Sequence, residues 1–248
     1  MEKEYYKEYY ILEKDYWVFT ARRKIALSIL GRYLRQGARR PDILDAGTGT
    51  GVMLGELGRF GNATGLDNSR DAIEFCGKRG FSNVVEGSAE SLPFSDSSFD
   101  AVCAMDILEH LKDDRRALAE FFRVLRPGGV LFITVPAFMF LWGPHDEINM
   151  HKRRYVPRQV AERIKEAGFV TGKLSYFNCF FFPAVVFIRV ARRVLSGGRL
   201  KPKSDLISLP ALPNKVLELV FSSERFMLKY FNLPFGVSVL CAAMKPTG

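Results

Sequence analysis

Cysteine is scarce in this sequence, and its few cysteines show no paired pattern. The 248 residues include four cysteines, which lie far apart and form no Cys-x-x-Cys pair. A disulfide framework of the kind that staples small secreted domains is therefore not expected. We expect reduced cysteines in a cytoplasmic protein, and these are Cys76, Cys103, Cys179 and Cys241.

Long apolar runs are also missing. The longest unbroken apolar run, residues 179–188, has ten residues and contains Pro183, whereas a membrane-spanning helix needs about 20. The N-terminus is charged and rich in tyrosine, which is unlike a secretory signal. With 48% hydrophobic and 25% charged residues, the composition is that of one globular domain with a sizeable core.

Acidic residues are scarce in one region only. Residues 151–203 contain 13 lysines and arginines but two acids, a balance of +11, so the rest of the chain carries −2 of the total +9. A basic stretch next to an apolar one favours an anionic partner, either phosphate groups or a membrane surface. Nucleic acid is less favoured, because no RNA-binding appendage is recognisable. A solvated basic face is the plain alternative.

Residues 42–51, Asp-Ile-Leu-Asp-Ala-Gly-Thr-Gly-Thr-Gly, predict a buried strand followed by a glycine turn that opens a helix. Such a turn lets the backbone approach a ligand closely, and the helix amides point at it. The sixth-position glycine of the dinucleotide fingerprint is replaced by Val52, which argues against a nicotinamide oxidoreductase. A second predicted strand ends in Asp67, about 20 residues further on, where an acid can accept both ribose hydroxyls.

Asp45, the glycine turn and Asp67 resemble motifs I and II of the class I S-adenosylmethionine-dependent methyltransferases. Residues 92–100 and the stretch Arg-Val-Leu-Arg-Pro-Gly-Gly before the fifth strand are similar to the same superfamily, within its methyltransferase type 11 and ubiquinone/menaquinone-biosynthesis branch. The resemblance covers residues 41–136. It implies an α/β, Rossmann-like fold with a seven-stranded, mainly parallel sheet, an antiparallel last strand, helices on both faces and a helical insertion before the last strand.

The resemblance also implies S-adenosyl-L-methionine as the cofactor. Family members often have Asp where this chain has Ser88, so the contact with the adenine amino group could fall to Glu90 or to backbone. The backbone at Met105 and Asp106 is expected to border the methyl donor. The expected cofactor-binding residues are Asp45, Ala46, Gly47, Thr48, Gly49, Gly51, Asp67, Asn68, Ser88, Ala89, Glu90, Met105 and Asp106.

Asp106, Glu109 and His110 share one face if the segment after the fourth strand is helical. Such a face could hold a divalent metal, and it resembles the metal-holding segment of the ubiquinone-pathway O-methyltransferases. The Leu-Glu-His triplet is nevertheless widespread in the superfamily without metal, so no metal site is assigned. The chain also lacks the Asn/Asp-Pro-Pro-Tyr/Phe motif of base-methylating enzymes and the Pro-Cys nucleophile of cytosine-C5 enzymes.

Residues 136–157 are predicted to form a substrate loop, since they follow the fifth strand and overhang its carboxyl end. Residues 138–155 supply aromatics, two histidines, two acids and two arginines, which suit a partly apolar, anionic substrate. A histidine could act as the base, and the arginines could clamp an anion. The expected catalytic residues are His145, His151, Arg153, Arg154 and Tyr155; a purely structural loop is the alternative.

The chain is predicted to be one methyltransferase domain, residues 1–248, with two accessory parts. Residues 1–40 are expected to form an N-terminal lid, or else to pack against the sheet edge. Residues 177–233 are expected to form a two-helix cap, or a hairpin that touches a membrane surface, with a mobile stretch over 197–214.

The predicted activity is methyl transfer to an oxygen or nitrogen of a small or lipid-like, anionic acceptor, by a cytoplasmic protein that can lie at a membrane surface. The alternatives are an RNA or protein methyltransferase and a non-catalytic cofactor-binding module.

Overall fold

The computed structural model describes residues 3–34, 39–195 and 209–247, with a single seven-stranded sheet at the centre. The strand order is β3-β2-β1-β4-β5-β7-β6, and β7 runs antiparallel to both neighbours. The predicted fold class is therefore confirmed, including the antiparallel last strand. The strands are β1 (Asp42–Ala46), β2 (Asn62–Asp67), β3 (Val84–Glu86), β4 (Phe99–Met105), β5 (Leu125–Pro136), β6 (Val170–Phe177) and β7 (Ser238–Met244).

Helices cover both faces of this sheet. Two of them begin with side-chain caps, in which Ser69 accepts a hydrogen bond from the Ala72 amide and Asp113 accepts one from the Arg116 amide. The helices are α1 (Lys3–Leu12), α2 (Trp17–Leu30), α3 (Val52–Leu57), α4 (Arg70–Lys78), α5 (Asp114–Val124), α6 (Pro144–Ile148), α7 (Pro157–Glu166), α8 (Phe182–Leu195) and α9 (Ala211–Leu228), with a 3₁₀ turn at Met139–Leu141.

The core consists of two apolar layers separated by the sheet. Leu44 packs in one layer and its neighbour Ile43 in the other, because successive side chains of a strand point to opposite faces. Leu131 and Phe132 of β5 divide in the same way. The first layer is closed by α5 and α7, and the second by α2, α3 and α9.

The segment after β4 departs from the prediction. Asp106 has a φ of +52°, and its amide bonds to the Thr134 carbonyl of β5. Residues 106–113 form turns, and the helix begins only at α5. The helical face proposed for Asp106, Glu109 and His110 therefore does not form, because a positive φ is incompatible with helix continuation.

The insertion before β7 contains the two helices that its apolar spacing predicts, α8 and α9. Phe221 of α9 packs against Trp17 of α2 and stacks on Phe177 of β6, with ring centroids 6.1 and 6.3 Å apart. The stretch predicted to be mobile falls mostly outside the described residues, and its last residues belong to α9. In the described part of the chain, every helix is too short or too polar to cross a membrane.

Candidate active site

A cavity of about 600 Å³ lies at the carboxyl ends of the parallel strands. It is lined by the turn after β1, the end of β4, the N-terminal segment through α2, the loop between β5 and α7, and residues of β5, β6 and β7. One face of α8 closes the cavity from the outside. Ligands of open parallel sheets bind at this edge, so this is the candidate active site.

The glycine turn forms the cofactor side of the cavity. Gly47, Gly49 and Gly51 have φ values of +76°, +56° and +86°, which residues other than glycine rarely adopt. A Cβ on Gly47 would also lie 2.7 Å from the Cδ1 atom of Ile107. The turn is therefore a cradle of half-buried backbone, and a side chain at Gly47 would displace Ile107.

Two buried acids support this turn from below. Asp45 accepts a hydrogen bond of 2.8 Å from the Thr48 hydroxyl, and burial raises its pKa to about 7. Asp67 accepts hydrogen bonds from the Gly49 amide at 3.0 Å and the Ser69 amide at 2.9 Å. Burial also raises the pKa of Asp67, despite these bonds. Both carboxylates thus fix the shape of the turn.

The N-terminal segment covers the turn. The Glu13 carboxylate accepts a hydrogen bond from the Thr50 hydroxyl. Arg79, which follows α4, lies over the ring of Tyr10 at 4.2 Å and donates to the carbonyls of Tyr10 and Thr50, both at 2.8 Å. The tyrosine-rich start of the chain is therefore packed onto the cofactor side, a position that suits the predicted lid.

This cover explains which expected cofactor residues line the cavity. Those on its wall are Asp45, Gly47, Thr48, Gly49, Met105 and Asp106. The others do not line it, and next to Asp67 the Tyr6 side chain of α1 bonds to Ser69. These outer residues are Ala46, Gly51, Asp67, Asn68, Ser88, Ala89 and Glu90.

Arg22 enters the cavity from α2 and pairs with Asp106. One guanidinium nitrogen lies 2.7 and 2.5 Å from the two Asp106 oxygens, and the other donates to the Ser238 hydroxyl at 2.9 Å. The sequence shows Arg22 at the start of a helix, but nothing local indicates a partner 84 positions away. This contact depends on the packing of α2 beside the end of β4.

On the opposite wall, Asp146 organises the substrate loop. Its carboxylate is fully buried and meets His151 Nδ1 at 2.8 Å and Arg154 Nε at 2.8 Å. Burial alone would raise the pKa of Asp146, but the hydrogen bonds from His151 and Arg154 hold it well below its usual range. His151 is thereby held in place on the cavity wall.

Of the five residues expected to be catalytic, His145, His151 and Arg154 line the cavity. Arg154 is committed to Asp146 and to the Ala137 carbonyl, the latter at 2.9 Å. It therefore acts as a support for the loop and is not available to clamp an acceptor.

Arg153 and Tyr155 point to the other side of the loop, so the acceptor roles expected for them are not retained. Arg153 donates to the Leu111 and Lys112 carbonyls at 3.0 and 2.9 Å. The Tyr155 hydroxyl lies 2.9 Å from an Asp114 oxygen, and burial raises its pKa. Both residues anchor the loop to the segment around α5, because alternate residues of this extended stretch face opposite ways.

Glu109 and His110 line the cavity between the two walls. Glu109 is 1% exposed, and neither of its carboxylate oxygens has a hydrogen-bond partner. Burial raises the pKa of Glu109 well above its ordinary value and lowers that of His110 to about 4. The rings of His110 and His151 meet edge to face at 4.7 Å.

Comparisons with known proteins agree with this geometry. Residues 44–133 match the family model described as a methyltransferase domain. A demethylmenaquinone methyltransferase of Chlorobaculum tepidum is 35% identical over 126 residues, 49% of each chain. A ubiquinone/menaquinone biosynthesis C-methyltransferase of Erwinia tasmaniensis is 32% identical over 149 residues, 54% of this chain and 57% of the relative. The chain spans about half the length of these curated relatives.

Solved structures resemble the chain over a longer stretch. A methyltransferase of Archaeoglobus fulgidus has a TM-score of 0.56 at 22% identity, covering 90% of this chain and 92% of that one. Phosphoethanolamine N-methyltransferase 2 of Haemonchus contortus, in complex with S-adenosyl-L-methionine, has a TM-score of 0.56 at 20% identity, with 89% and 52% covered.

The fold and the site together define a class I S-adenosylmethionine-dependent methyltransferase architecture. Within it, residues 44–133 match the model of the methyltransferase domain family. S-adenosyl-L-methionine is the cofactor of this class, and the residues present fit it: the glycine cradle leaves room for a ligand against backbone, and Asp67 stands at the strand end where ribose hydroxyls bind.

Proposed function

We propose that this protein is an S-adenosylmethionine-dependent methyltransferase whose acceptor is a small or lipid-like molecule with an anionic group. One observation carries the proposal: a single cavity joins the glycine turn to the histidine-bearing loop after β5. A cofactor held by the turn would present its methyl group toward that loop. The acceptor would enter against the loop and attack in line.

The chain contributes approach geometry and proton acceptance. Well-oriented reactants can gain roughly 7–11 kcal/mol from proximity alone. His145 and His151 are the loop histidines that face the cavity, and either suits the role of base, since imidazole is the side chain that most often serves as a general base. We retain oxygen or nitrogen as the proposed methylated atom, although the two relatives described above include one named as a C-methyltransferase.

The anionic group of the acceptor needs a cation on the cavity wall. Besides Arg154, the cavity wall carries Arg22, which pairs with Asp106, and Arg23, which bonds to the Glu13 and Lys14 carbonyls. It also carries Arg189 and Arg192 of α8. Guanidinium groups bind carboxylates and phosphates through paired hydrogen bonds. We therefore assign the expected anion contact to α8.

A membrane surface is the proposed source of a lipid-like acceptor. Helix α8 buries none of its residues, and Phe187, Val194 and Leu195 are 74%, 74% and 86% exposed. The same helix lines the cavity with Val185 and Ile188. An apolar helix with basic residues that lies between solvent and cavity suits contact with an anionic lipid surface.

Product analysis tests the proposal. Purified protein is incubated with S-adenosylmethionine labelled in the methyl group and with a lipid extract, a soluble-metabolite extract, RNA or protein. Label in one lipid or small-molecule product supports the proposal, and its mass spectrum identifies the methylated atom. Label confined to RNA or protein would support the alternative macromolecular acceptors, and cofactor binding without transfer to any of the four would support a binding module.

Liposome sedimentation tests the membrane contact separately. We expect more protein to sediment with anionic than with neutral vesicles, and added salt to reduce the difference. Changing Arg189, Arg192 and Arg193 to Glu should abolish it. The matched control changes Arg59, Arg70 and Lys78, all in exposed ion pairs, to Glu and should preserve the preference. Equal binding to both vesicle types would contradict the membrane contact and would support the alternative, in which α8 and α9 only cap the cavity.

A further inference from the structure

Glu109 is a buried acid that no protein group accounts for. Its carboxylate is 1% exposed, lies on the cavity wall, and has no hydrogen-bond partner for either oxygen. Buried polar atoms are nearly always satisfied, and a carboxylate without a donor is among the costliest to bury. A group that binds here in the working protein would remove this cost.

Two imidazoles face the same point. One ligand atom each from Glu109, His110 and His151 can be chosen so that all lie within 4.8 Å of one another, and this trio is the one group of its kind among the described ranges. Two of the three ligands come from the turn after β4 and the third from the substrate loop, 41 positions further along the chain.

The outer hydrogen bonds of both histidines are those that metal ligands make. His151 Nδ1 is bonded to the buried Asp146 carboxylate at 2.8 Å, and a ring nitrogen of His110 is bonded to the backbone of Asn149. Each imidazole is thus oriented by one nitrogen and keeps the other for a further partner. Metal-binding histidines almost always have such a carboxylate or backbone partner on the second nitrogen.

We propose that Glu109, His110 and His151 bind a divalent transition-metal ion at the acceptor end of the cavity. Four-coordinate Zn²⁺ with bonds of about 2.0–2.1 Å brings its ligand atoms to about 3.3 Å from one another. The distance between any two of the ligand atoms therefore has to shorten by roughly 1.5 Å at most to bind such an ion. The unpartnered Glu109 carboxylate is free of hydrogen bonds that would oppose this.

The donor set selects the kind of ion. Two imidazoles and one carboxylate suit Zn²⁺, Co²⁺ or Fe²⁺, whereas Mg²⁺ prefers oxygen ligands. Asp106 does not belong to the set, because both its oxygens are engaged by Arg22 at 2.7 and 2.5 Å. Three protein ligands with the remaining position open to a cavity are typical of catalytic rather than structural sites.

The catalytic role of this site rests on the proposed function, whereas the binding of the ion does not depend on it. An ion at this place would hold an oxygen of the acceptor and favour its deprotonated form. His145, which is outside the trio, would then be the loop histidine left to accept the proton. Acceptors with an acidic hydroxyl or an enol next to a second oxygen would suit such a site.

The experiment measures metal binding directly on tag-free, full-length protein. Co²⁺ is added to apo-protein and followed by its visible absorption, with Zn²⁺ as competitor and Mg²⁺ as control. We expect one Co²⁺ per chain at micromolar concentrations, displaced by Zn²⁺ and not by millimolar Mg²⁺. Glu109→Gln, His110→Ala and His151→Ala should each weaken binding at least tenfold, and the control His145→Ala should bind Co²⁺ as the wild type does.

Calorimetry with S-adenosylmethionine is run on every variant to separate outcomes. Loss of Co²⁺ with unchanged cofactor affinity and circular dichroism supports the metal site, whatever reaction the protein performs. Absence of stoichiometric Co²⁺ or Zn²⁺ binding by wild type, or equal binding by all three ligand variants, would overturn it. Unchanged metal binding together with failure to bind S-adenosylmethionine would instead refute the proposed function alone.

Discussion

The two walls of the cavity are built in different ways. The cofactor wall is local: Asp45, Gly47, Thr48 and Gly49 lie within four positions of one another, and Asp67 at the end of the next strand supports this turn. The acceptor wall combines Arg22, Glu109, His151 and α8, which are distant in sequence. Local walls can be identified from motifs, whereas composite walls depend on how separate elements pack.

The largest expected effect lies on the acceptor wall. His145→Ala should lower turnover by 10²-fold or more if this histidine accepts the proton, while affinity for S-adenosylmethionine stays within about threefold. Steady-state kinetics and calorimetry measure the two quantities. The exposed neighbour Lys152→Ala serves as the control and should keep full turnover. Equal losses in both variants would mean that the loop is merely disturbed.

A substitution on the cofactor side of the cavity should change the affinity for S-adenosylmethionine. Asp67→Ala removes a buried carboxylate that shapes the glycine turn by accepting hydrogen bonds from the Gly49 and Ser69 amides, at a cost of about 1.5–3 kcal/mol. Calorimetry should show binding of S-adenosylmethionine weakened roughly 10- to 150-fold. Glu86→Ala, at the exposed end of β3, is the matched control. Unchanged affinity in a folded Asp67→Ala protein would contradict the assignment.

A smaller effect on the KM of the acceptor should distinguish Arg189 of α8 from Arg153 of the substrate loop. Arg189→Ala should raise the KM of the acceptor about tenfold at nearly constant kcat, because contact with an anion exists in the ground state and the transition state alike. Arg153→Ala should leave KM unchanged, since its guanidinium bonds to backbone away from the cavity. The reverse pattern would restore the anion clamp predicted for the substrate loop.

The smallest effect is on stability and concerns pH. The pKa of Asp45 is about 7 in the folded protein but about 3.9 when unfolded, so the folded state binds more protons between these values. Its contribution to stability is complete below pH 4 and is lost as pH rises to about 7. Without cofactor, Asp45→Asn should therefore gain a few degrees of Tm over wild type at pH 8 relative to pH 5. Thermal scans at both pH values check this, and a pH-independent difference would count against it.

Prediction from sequence succeeds where the signal is short-range. The strand before the glycine turn and the strand that ends in Asp67 are both predicted, and both form. It fails at Asp106, where a helix is expected. The turn there is imposed by the hydrogen bond to Thr134 on the adjacent strand, a residue whose distance cannot be known from the segment itself.

The substrate loop shows the same division. Its position after β5 follows from the order of the elements, so histidines near the methyl donor are predictable. Which of its arginines reach the cavity is not predictable, because the outcome depends on Asp146, whose buried carboxylate binds Arg154 and leaves Arg153 to the far side.

The sequence by itself determined the sheet and the glycine cradle, because these depend on strand periodicity and on backbone angles that only glycine adopts readily. The cofactor class followed from the resemblance of this stretch to methyltransferase motifs. The tertiary structure decided the rest of the cavity: the cover by α1, the Arg22–Asp106 pair and the proximity of Glu109 to His110 and His151. Those contacts arise from chain segments brought together by burial of the two apolar layers, and a buried charge finds its partner only once that packing is complete.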